Sequence, residues 1–201
     1  MARSTRSESK NVAVIDSPRD RVLAAAERCI ERHGIRKTTM EDIAQEAGMS
    51  RPAVYRYFDD REDLFIAIIS VHTRLLLDKA HKFIARRDNL VDQIVDGVIY
   101  LAENGRQDPF TRYMVDLDGT DIGRRMVTSG MSETLVSEFW DPFLDAAVKA
   151  GTLPENLSRH DIHLWLRTLC LMIMRGLEDG QATSRRYRAI LQTFIAPAFA
   201  V

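Results

Sequence analysis

Residue types that can bind phosphate groups and base edges are concentrated in one short stretch near the N-terminal end. Val54 and Phe58 lie four residues apart and form an apolar helical face. The face that remains carries Ser50, Arg51, Pro52, Ala53, Tyr55, Arg56 and Tyr57. Guanidinium groups and tyrosine hydroxyls donate hydrogen bonds to phosphate oxygens, and an arginine can donate two to a guanine edge. This face is therefore a candidate surface for contacting nucleic acid.

Two short helices joined by a tight turn are predicted to position this face. Thr39 is a candidate N-cap with Asp42 at the N3 position, which is a capping-box spacing. Gly48 suits the left-handed backbone at a helix end, and Ser50 is a second N-cap candidate with Pro52 in the first turn. The arrangement predicts a helix-turn-helix, whose second helix enters the major groove. An ordinary helical hairpin with a solvated face is the alternative.

The segment from residue 21 to residue 64 resembles the DNA-binding domain of the TetR family of bacterial transcriptional regulators. The matching residues are Ala25, Ala26, Gly34 and those at 38–40, 42–44, 47–50, 54–58 and 61–64. The resemblance implies that Thr38 and Arg61 hold phosphates and that Thr39 lies at the same surface. It also implies that the C-terminal region holds a dimer interface and a small-molecule pocket.

The net charge of the whole chain argues neither for nor against nucleic-acid binding, but the distribution of charge is informative. The 201 residues carry a formal charge of −1, yet residues 1–58 contain 11 Lys and Arg against 8 Asp and Glu, a net of +3. That mild asymmetry fits an N-terminal part that faces DNA. Cys29 and Cys170 lie in apolar stretches and are expected to be reduced core residues, and no signal peptide is recognisable. A cytoplasmic location is therefore predicted.

Helical periodicity predicts an all-α fold of about nine helices, with no strand alternation. The predicted plan is a flexible arm over residues 1–16, a three-helix DNA-binding head over 17–60, and a helical domain for ligand binding and dimerisation over 61–201. The arm is either a disordered terminus without a role or a basic segment that touches DNA. A long helix from Arg61 to about residue 86 would join the two domains, with Leu75 on its stripe. Val148 is predicted to lie inward on a later helix.

The helix predicted over about 158–176 is apolar almost all round, from Ile162 to Met174. Such a helix must be covered on more than one side. A homodimer is therefore predicted through this helix and the last one, at about 184–199, which would form a four-helix interface across a two-fold axis.

Aromatic residues and methionines in the C-terminal part are candidates for an adaptable ligand pocket. They are Tyr100, Phe110, Tyr113, Met114, Met126, Phe139, Phe143, Trp165, Leu169 and Met172. Ordinary core packing explains most of them individually. By resemblance, the ligand would be an apolar or amphipathic small molecule.

The sequence contains no hydrolase, nucleotide-binding or metalloprotease motif, so no catalytic residue, cofactor or metal ion is predicted. His160 and His163, three apart at a helix start, have no third or fourth ligand near in sequence. The predicted function is a homodimeric, sequence-specific repressor of palindromic double-stranded DNA operators that an effector releases. The alternative is a ligand-binding or interaction protein on the same scaffold that does not bind an operator.

Overall fold

The computed structural model describes residues 17–116, 120–153 and 157–199, and all regular structure in these ranges is helical. The helices are α1 (Pro18–His33), α2 (Met40–Ala47), α3 (Arg51–Val54), α4 (Arg61–Ile84), α5 (Leu90–Gly105), α6 (Tyr113–Asp116), α7 (Asp121–Thr128), α8 (Met131–Lys149), α9 (Arg159–Glu178) and α10 (Ser184–Ile195), followed by a 3-10 turn over Ala196–Phe199. The predicted all-α class is confirmed, with ten α-helices in the described ranges instead of about nine. The predicted N-terminal arm, residues 1–16, lies outside the described residues.

The chain divides into two compact units, with the boundary between Leu64 and Phe65. In the first unit α1 packs against α2, and α2 against α3. Val22, Ile43 and Val54 are fully buried there. These buried apolar side chains hold α3 against α2, so the exposed side of α3 has a defined position in the first unit.

Helix α5 is the centre of the second unit and packs against α8, α9 and α10. Ile94 and Val98 of α5 are fully buried, as is Ile173 of α9. The same helix also buries a charge: Asp96 accepts hydrogen bonds from both Arg87 and Arg188. Two arginines on one carboxylate compensate the cost of burying it.

Local capping hydrogen bonds fix the starts of several helices. The Ser17 hydroxyl accepts a hydrogen bond from the Asp20 amide at 3.1 Å, and Pro18 is the first helical residue. The Ser158 hydroxyl accepts from the Asp161 amide, also at 3.1 Å. Each cap depends only on residues close in sequence.

The inward assignment of Val148 is wrong, and Leu75, which lies on the predicted stripe of α4, is exposed as well. Leu75 on α4 is 54% exposed and Val148 on α8 is 53% exposed. Helical spacing identifies a stripe, but which part of the stripe is covered depends on where neighbouring helices end. No helix in the described part of the chain is long and apolar enough to cross a membrane.

Candidate nucleic-acid interface and internal cavities

The turn between α2 and α3 is built as the sequence predicted. The Thr39 hydroxyl accepts from the Asp42 amide at 3.2 Å, and the Asp42 carboxylate accepts from the Thr39 amide at 3.0 Å, which completes the capping box. Hydrogen bonds from the Thr39 hydroxyl and amide lower the pKa of Asp42. Gly48 ends α2 at φ 64° and ψ 34°, and the Met49 amide donates to the Ala44 carbonyl at 2.9 Å. A side chain at Gly48 would be strained by this positive φ.

The second helix of the motif is shorter than the apolar spacing suggested. Helix α3 ends at Val54, and Phe58 lies beyond it in a turn held by hydrogen bonds from the Tyr57 and Phe58 amides to the Val54 carbonyl, at 3.0 and 3.3 Å. Ser50 does precede the helix in an extended conformation, but its hydroxyl makes no capping hydrogen bond. The Ser50 prediction is therefore right in position and wrong in the cap it was expected to make.

The predicted basic and aromatic face is exposed. Arg51, Pro52, Tyr55 and Arg56 are exposed. One guanidinium nitrogen of Arg51 donates to the Tyr55 hydroxyl at 3.3 Å, and the group lies 5.5 Å from the Tyr55 ring centroid. Glu41 of α2 lies 4.0 Å from the same guanidinium. The hydrogen bond to Tyr55 raises the pKa of Arg51 and orients a cation at the start of α3.

The other predicted contact residues differ in accessibility. Ala53 and Tyr57 are half-buried, and Thr39 is exposed at the start of α2. Thr38 is only 1% exposed, and its hydroxyl donates to the Gly34 carbonyl at 3.0 Å. This burial disagrees with the expectation that Thr38 holds a phosphate, because its hydroxyl is used inside the fold. Arg61 is half-buried at the start of α4 and donates to the Ile35 carbonyl.

Two exposed cations, Arg36 and Lys37, were missed by the sequence analysis. They lie between α1 and α2, directly before Thr38. The sequence pattern that could have identified them is a pair of adjacent basic residues between two predicted helices. By contrast, Arg28 and Arg32 are held by Glu46 on the side of α2 that faces α1.

Two cavities lie in the second unit. The larger is an open cavity of about 910 Å³ lined by residues of α6 to α9, and the smaller, about 90 Å³, lies among α4, α5, α8 and α9. Four of the predicted ligand residues line them. Met114 lines both cavities, Met126 and Met172 line the larger one, and Phe139 lines the smaller one.

The other six predicted ligand residues are not among the residues that line these two cavities. Ring contacts join Phe110 to His72 at 4.3 Å, Tyr100 to Phe83 at 4.9 Å, Phe143 to His81 at 4.8 Å and Trp165 to Phe199 at 6.4 Å. Leu169 packs against the core of the second unit, and Tyr113 is half-buried at the start of α6.

Polar residues that line these cavities were also missed. Ser132 and Arg167 line both, and Arg124 lines the larger one. An arginine inside the apolar run of α9 was the sequence pattern that could have identified Arg167.

The histidines near the start of α9 are paired with acids. The His160 ring lies 3.1 Å from Glu133 and the His163 ring 2.8 Å from Asp141. Among the described residues, no three His, Cys, Asp or Glu side chains lie close enough together to hold a metal ion.

Comparison with known proteins identifies relatives of this chain. Residues 22–68 match the profile of bacterial regulatory proteins of the tetR family. An uncharacterised HTH-type transcriptional regulator of Mycobacterium bovis is 27% identical over 158 residues, which cover 78% of this chain and 77% of that protein. The chain carries the DNA-binding head of the TetR family. It is accordingly a DNA-binding transcriptional regulator and not an enzyme.

The TetR-family fold extends beyond the matched head. FadR from Bacillus subtilis in complex with stearoyl-CoA has a TM-score of 0.60 at 15% identity, over 85% of this chain and 96% of that one. The SmeT–triclosan complex has a TM-score of 0.59 at 21% identity, over 92% of each chain. At these identities the similarity establishes the fold of the C-terminal helices.

Proposed function

We propose that this TetR-family protein is a homodimeric repressor that binds a palindromic operator and releases it when an apolar or amphipathic small molecule binds. The observation that carries the proposal is the exposed cationic and aromatic surface formed by α3 and the turn after it. Arg51 lies on α3, Tyr55 and Arg56 lie in the turn that follows, and the buried Val54 fixes α3 to α2.

In this proposal each residue of the face has a separate task. Arg51 donates to a guanine, because its guanidinium is exposed and already oriented by Tyr55. Pro52 and Ala53 make apolar contacts, for example with a thymine methyl group. Contacts from Arg56 and Arg61 to phosphates fix the position on the duplex without reading its sequence. The same surface includes Thr39, Ser50 and Tyr57.

The homodimer is supported by apolar side chains that α9 and α10 leave exposed. Leu164 and Trp165 of α9 are 45% and 40% exposed, and Phe194 of α10 is 73% exposed. A second copy of the chain that pairs the last two helices would cover them across a two-fold axis. Two recognition helices about 34–36 Å apart, or somewhat more, would then face successive turns of a palindrome.

The two cavities of the second unit support a small-molecule effector. The volume of the larger cavity, about 910 Å³, and its mixed lining fit a binding site, and the smaller cavity adjoins it. The structural neighbours FadR and SmeT are recorded with stearoyl-CoA and triclosan. An effector that binds one spacing of the two heads better than the other changes DNA affinity only by that difference in binding free energy.

Selection of bound sequences from a random duplex pool, with the purified protein at near-physiological salt, tests this function. We expect a palindrome for the native protein. The double variant Arg51→Ala, Arg56→Ala should recover none. Arg28→Ala is the matched control, since it removes an exposed arginine that pairs with Glu46.

Recovery of no motif by the native protein, with only salt-sensitive binding, would overturn operator recognition, because phosphate contacts alone give such binding. A reporter with the recovered site overlapping its promoter separates repression, which we expect, from activation.

A further inference from the structure

The two cavities of the second unit meet at one polar point. Met114, Ser132, Arg167 and Leu171 line both cavities. One guanidinium nitrogen of Arg167 donates to the Ser132 hydroxyl at 3.3 Å. The cation therefore lies where the larger cavity gives way to the smaller one.

Arg167 is half-buried in the middle of α9 and has no carboxylate within 4.0 Å among the residues that the structure describes. A partly buried guanidinium whose described partner is one neutral hydroxyl lacks a counter-charge, and this is unfavourable. A bound anion would supply that charge and accept a bidentate pair of hydrogen bonds.

The larger cavity has the electrostatic character of an anion site. Arg124 of α7 and Arg175 of α9 line it together with Arg167, and none of the lining side chains that the structure describes is acidic. Asp121 lies 3.5 Å from Arg124 and Asp179 lies 3.4 Å from Arg175, but all four side chains are about half exposed or more, so water weakens both pairs. A negative group entering this cavity meets several cations.

The smaller cavity has the opposite character. Leu101, Leu135 and Leu166 are among its lining residues. Two of its hydroxyls are used within the protein: Thr111 donates to the Gly105 carbonyl at 2.7 Å and Thr73 to the Met114 sulfur at 3.5 Å. Its volume of about 90 Å³ has room for roughly seven water-sized groups. It therefore suits an unbranched apolar tail of medium length.

We propose that the effector is an anionic amphiphile, with a carboxylate or phosphate ester bound at Arg167 and an apolar tail in the smaller cavity. This inference rests on the proposed effector-released repressor and names the class of its ligand. Ser132 keeps the guanidinium in place when the site is empty, and the anion adds the missing counter-charge when it binds.

Calorimetric titration of the full-length protein with octanoate, octyl phosphate and 1-octanol tests the assignment. The three probes share a tail length and differ in the head group. We expect both anions, or one of them, to bind at least about tenfold more tightly than the alcohol. The anion that binds more tightly identifies the head group as a carboxylate or a phosphate ester.

Variants at Arg167 locate the head group. Arg167→Gln should reduce the preference for the anion to less than about threefold without changing the affinity for 1-octanol, and Arg167→Lys should restore part of it. Arg86→Gln is the matched control, because Arg86 is exposed just beyond α4. Equal affinity for anion and alcohol, no binding of either, or an unchanged preference in Arg167→Gln would overturn the proposal.

Release of the selected operator by the same probes separates the two proposals. Operator binding without any response to the anions refutes the ligand class and leaves the DNA-binding function standing. Tight anion binding by a protein that selects no operator refutes the repressor and leaves the site at Arg167.

Discussion

At the scale of single residues, one arginine is held in place before any DNA arrives. Arg51 is exposed, yet the Tyr55 hydroxyl and ring and the Glu41 carboxylate all lie within reach of its guanidinium. Ordering a long side chain in advance reduces the entropy lost when it binds. Arg51 is therefore better suited to reading a base than Arg56, for which the described residues provide no such restraint.

Replacing Arg51 by Ala should cost about 1–3 kcal/mol of operator binding free energy and relax the preference at one base pair. Tyr55→Phe keeps the ring but removes the hydroxyl, so it should weaken the same preference by a smaller amount. Both effects are measured by titrating operator duplexes that carry each base at each position. Unchanged affinity and unchanged preference in Arg51→Ala would show that another side chain reads that base pair.

A half-buried acid in the second unit makes stability depend on pH. Burial alone would raise the pKa of Asp108, but hydrogen bonds from His72 and from Thr111 outweigh it and lower the pKa to about 2. The His72 ring nitrogen lies 2.9 Å from the carboxylate, and the Thr111 amide donates to it at 2.8 Å. Because the folded pKa lies below the unfolded value of about 3.9, this stabilisation is present above about pH 4 and is lost as the pH falls towards 2.

Asp108→Asn should therefore flatten the fall in unfolding free energy between about pH 4 and about pH 2, as measured by urea denaturation. Asp78→Asn, at an exposed position on α4, is the matched control. A native and an Asp108→Asn profile of equal slope in that window would contradict the assignment.

At the scale of helices, the sequence predicted what depends on neighbours in the chain. The capping box of Thr39 and Asp42 and the left-handed Gly48 are local, so their outcome could be derived from residue types alone. Helix packing, which periodicity does not determine, decides the remaining features. These are the early end of α3, the exposure of Val148 and the burial of Thr38. Helix packing also explains why only four of the ten predicted ligand residues line cavities. An apolar stripe in the sequence identifies candidates, and the way the helices cross determines which of them face a cavity.

The crossing of α5 and α8 depends on one glycine. A Cβ atom at Gly97 would lie 2.7 Å from a ring carbon of Trp140 and 3.3 Å from a methyl of Ile84. Gly97→Ala should destabilise the protein on the order of 1 kcal/mol, because overpacking of about 1–3 kcal/mol exceeds the helix-propensity gain of alanine, about 1 kcal/mol. Thermal and urea unfolding measure this change.

Two further variants make the explanation specific to the ring of Trp140. Gly105→Ala should cost less, since its nearest neighbour is the flexible Met174 side chain at 3.2 Å. Trp140→Phe should be less harmful in the Gly97→Ala background than alone, which a double-mutant cycle detects. Additive effects of the two substitutions would exclude the clash as the cause.

At the scale of the whole molecule, the chain leaves surfaces that one copy does not cover. The second unit has a well-packed centre on α5, yet α9 and α10 carry large apolar side chains at their surface. A chain that reads a palindrome needs a second copy related by a two-fold axis. The exposed apolar side chains of α9 and α10 offer a surface on which that dimer interface could form. In the proposed repressor, the dimer, the spacing of the heads and the response to an effector would therefore all depend on one interface.

Phe194→Asp tests that interface, because Phe194 is 73% exposed on α10 and its replacement would bury an unpaired charge between two copies. We expect the dimer dissociation constant to rise at least about 100-fold, which corresponds to about 2.7 kcal/mol, as measured by sedimentation equilibrium. Operator affinity should fall with it, while far-ultraviolet circular dichroism of the variant stays helical. Val148→Asp is the matched control, since Val148 is 53% exposed on α8, outside the last two helices. If Val148→Asp yields monomers and Phe194→Asp does not, the copies pair through α8 rather than through α9 and α10.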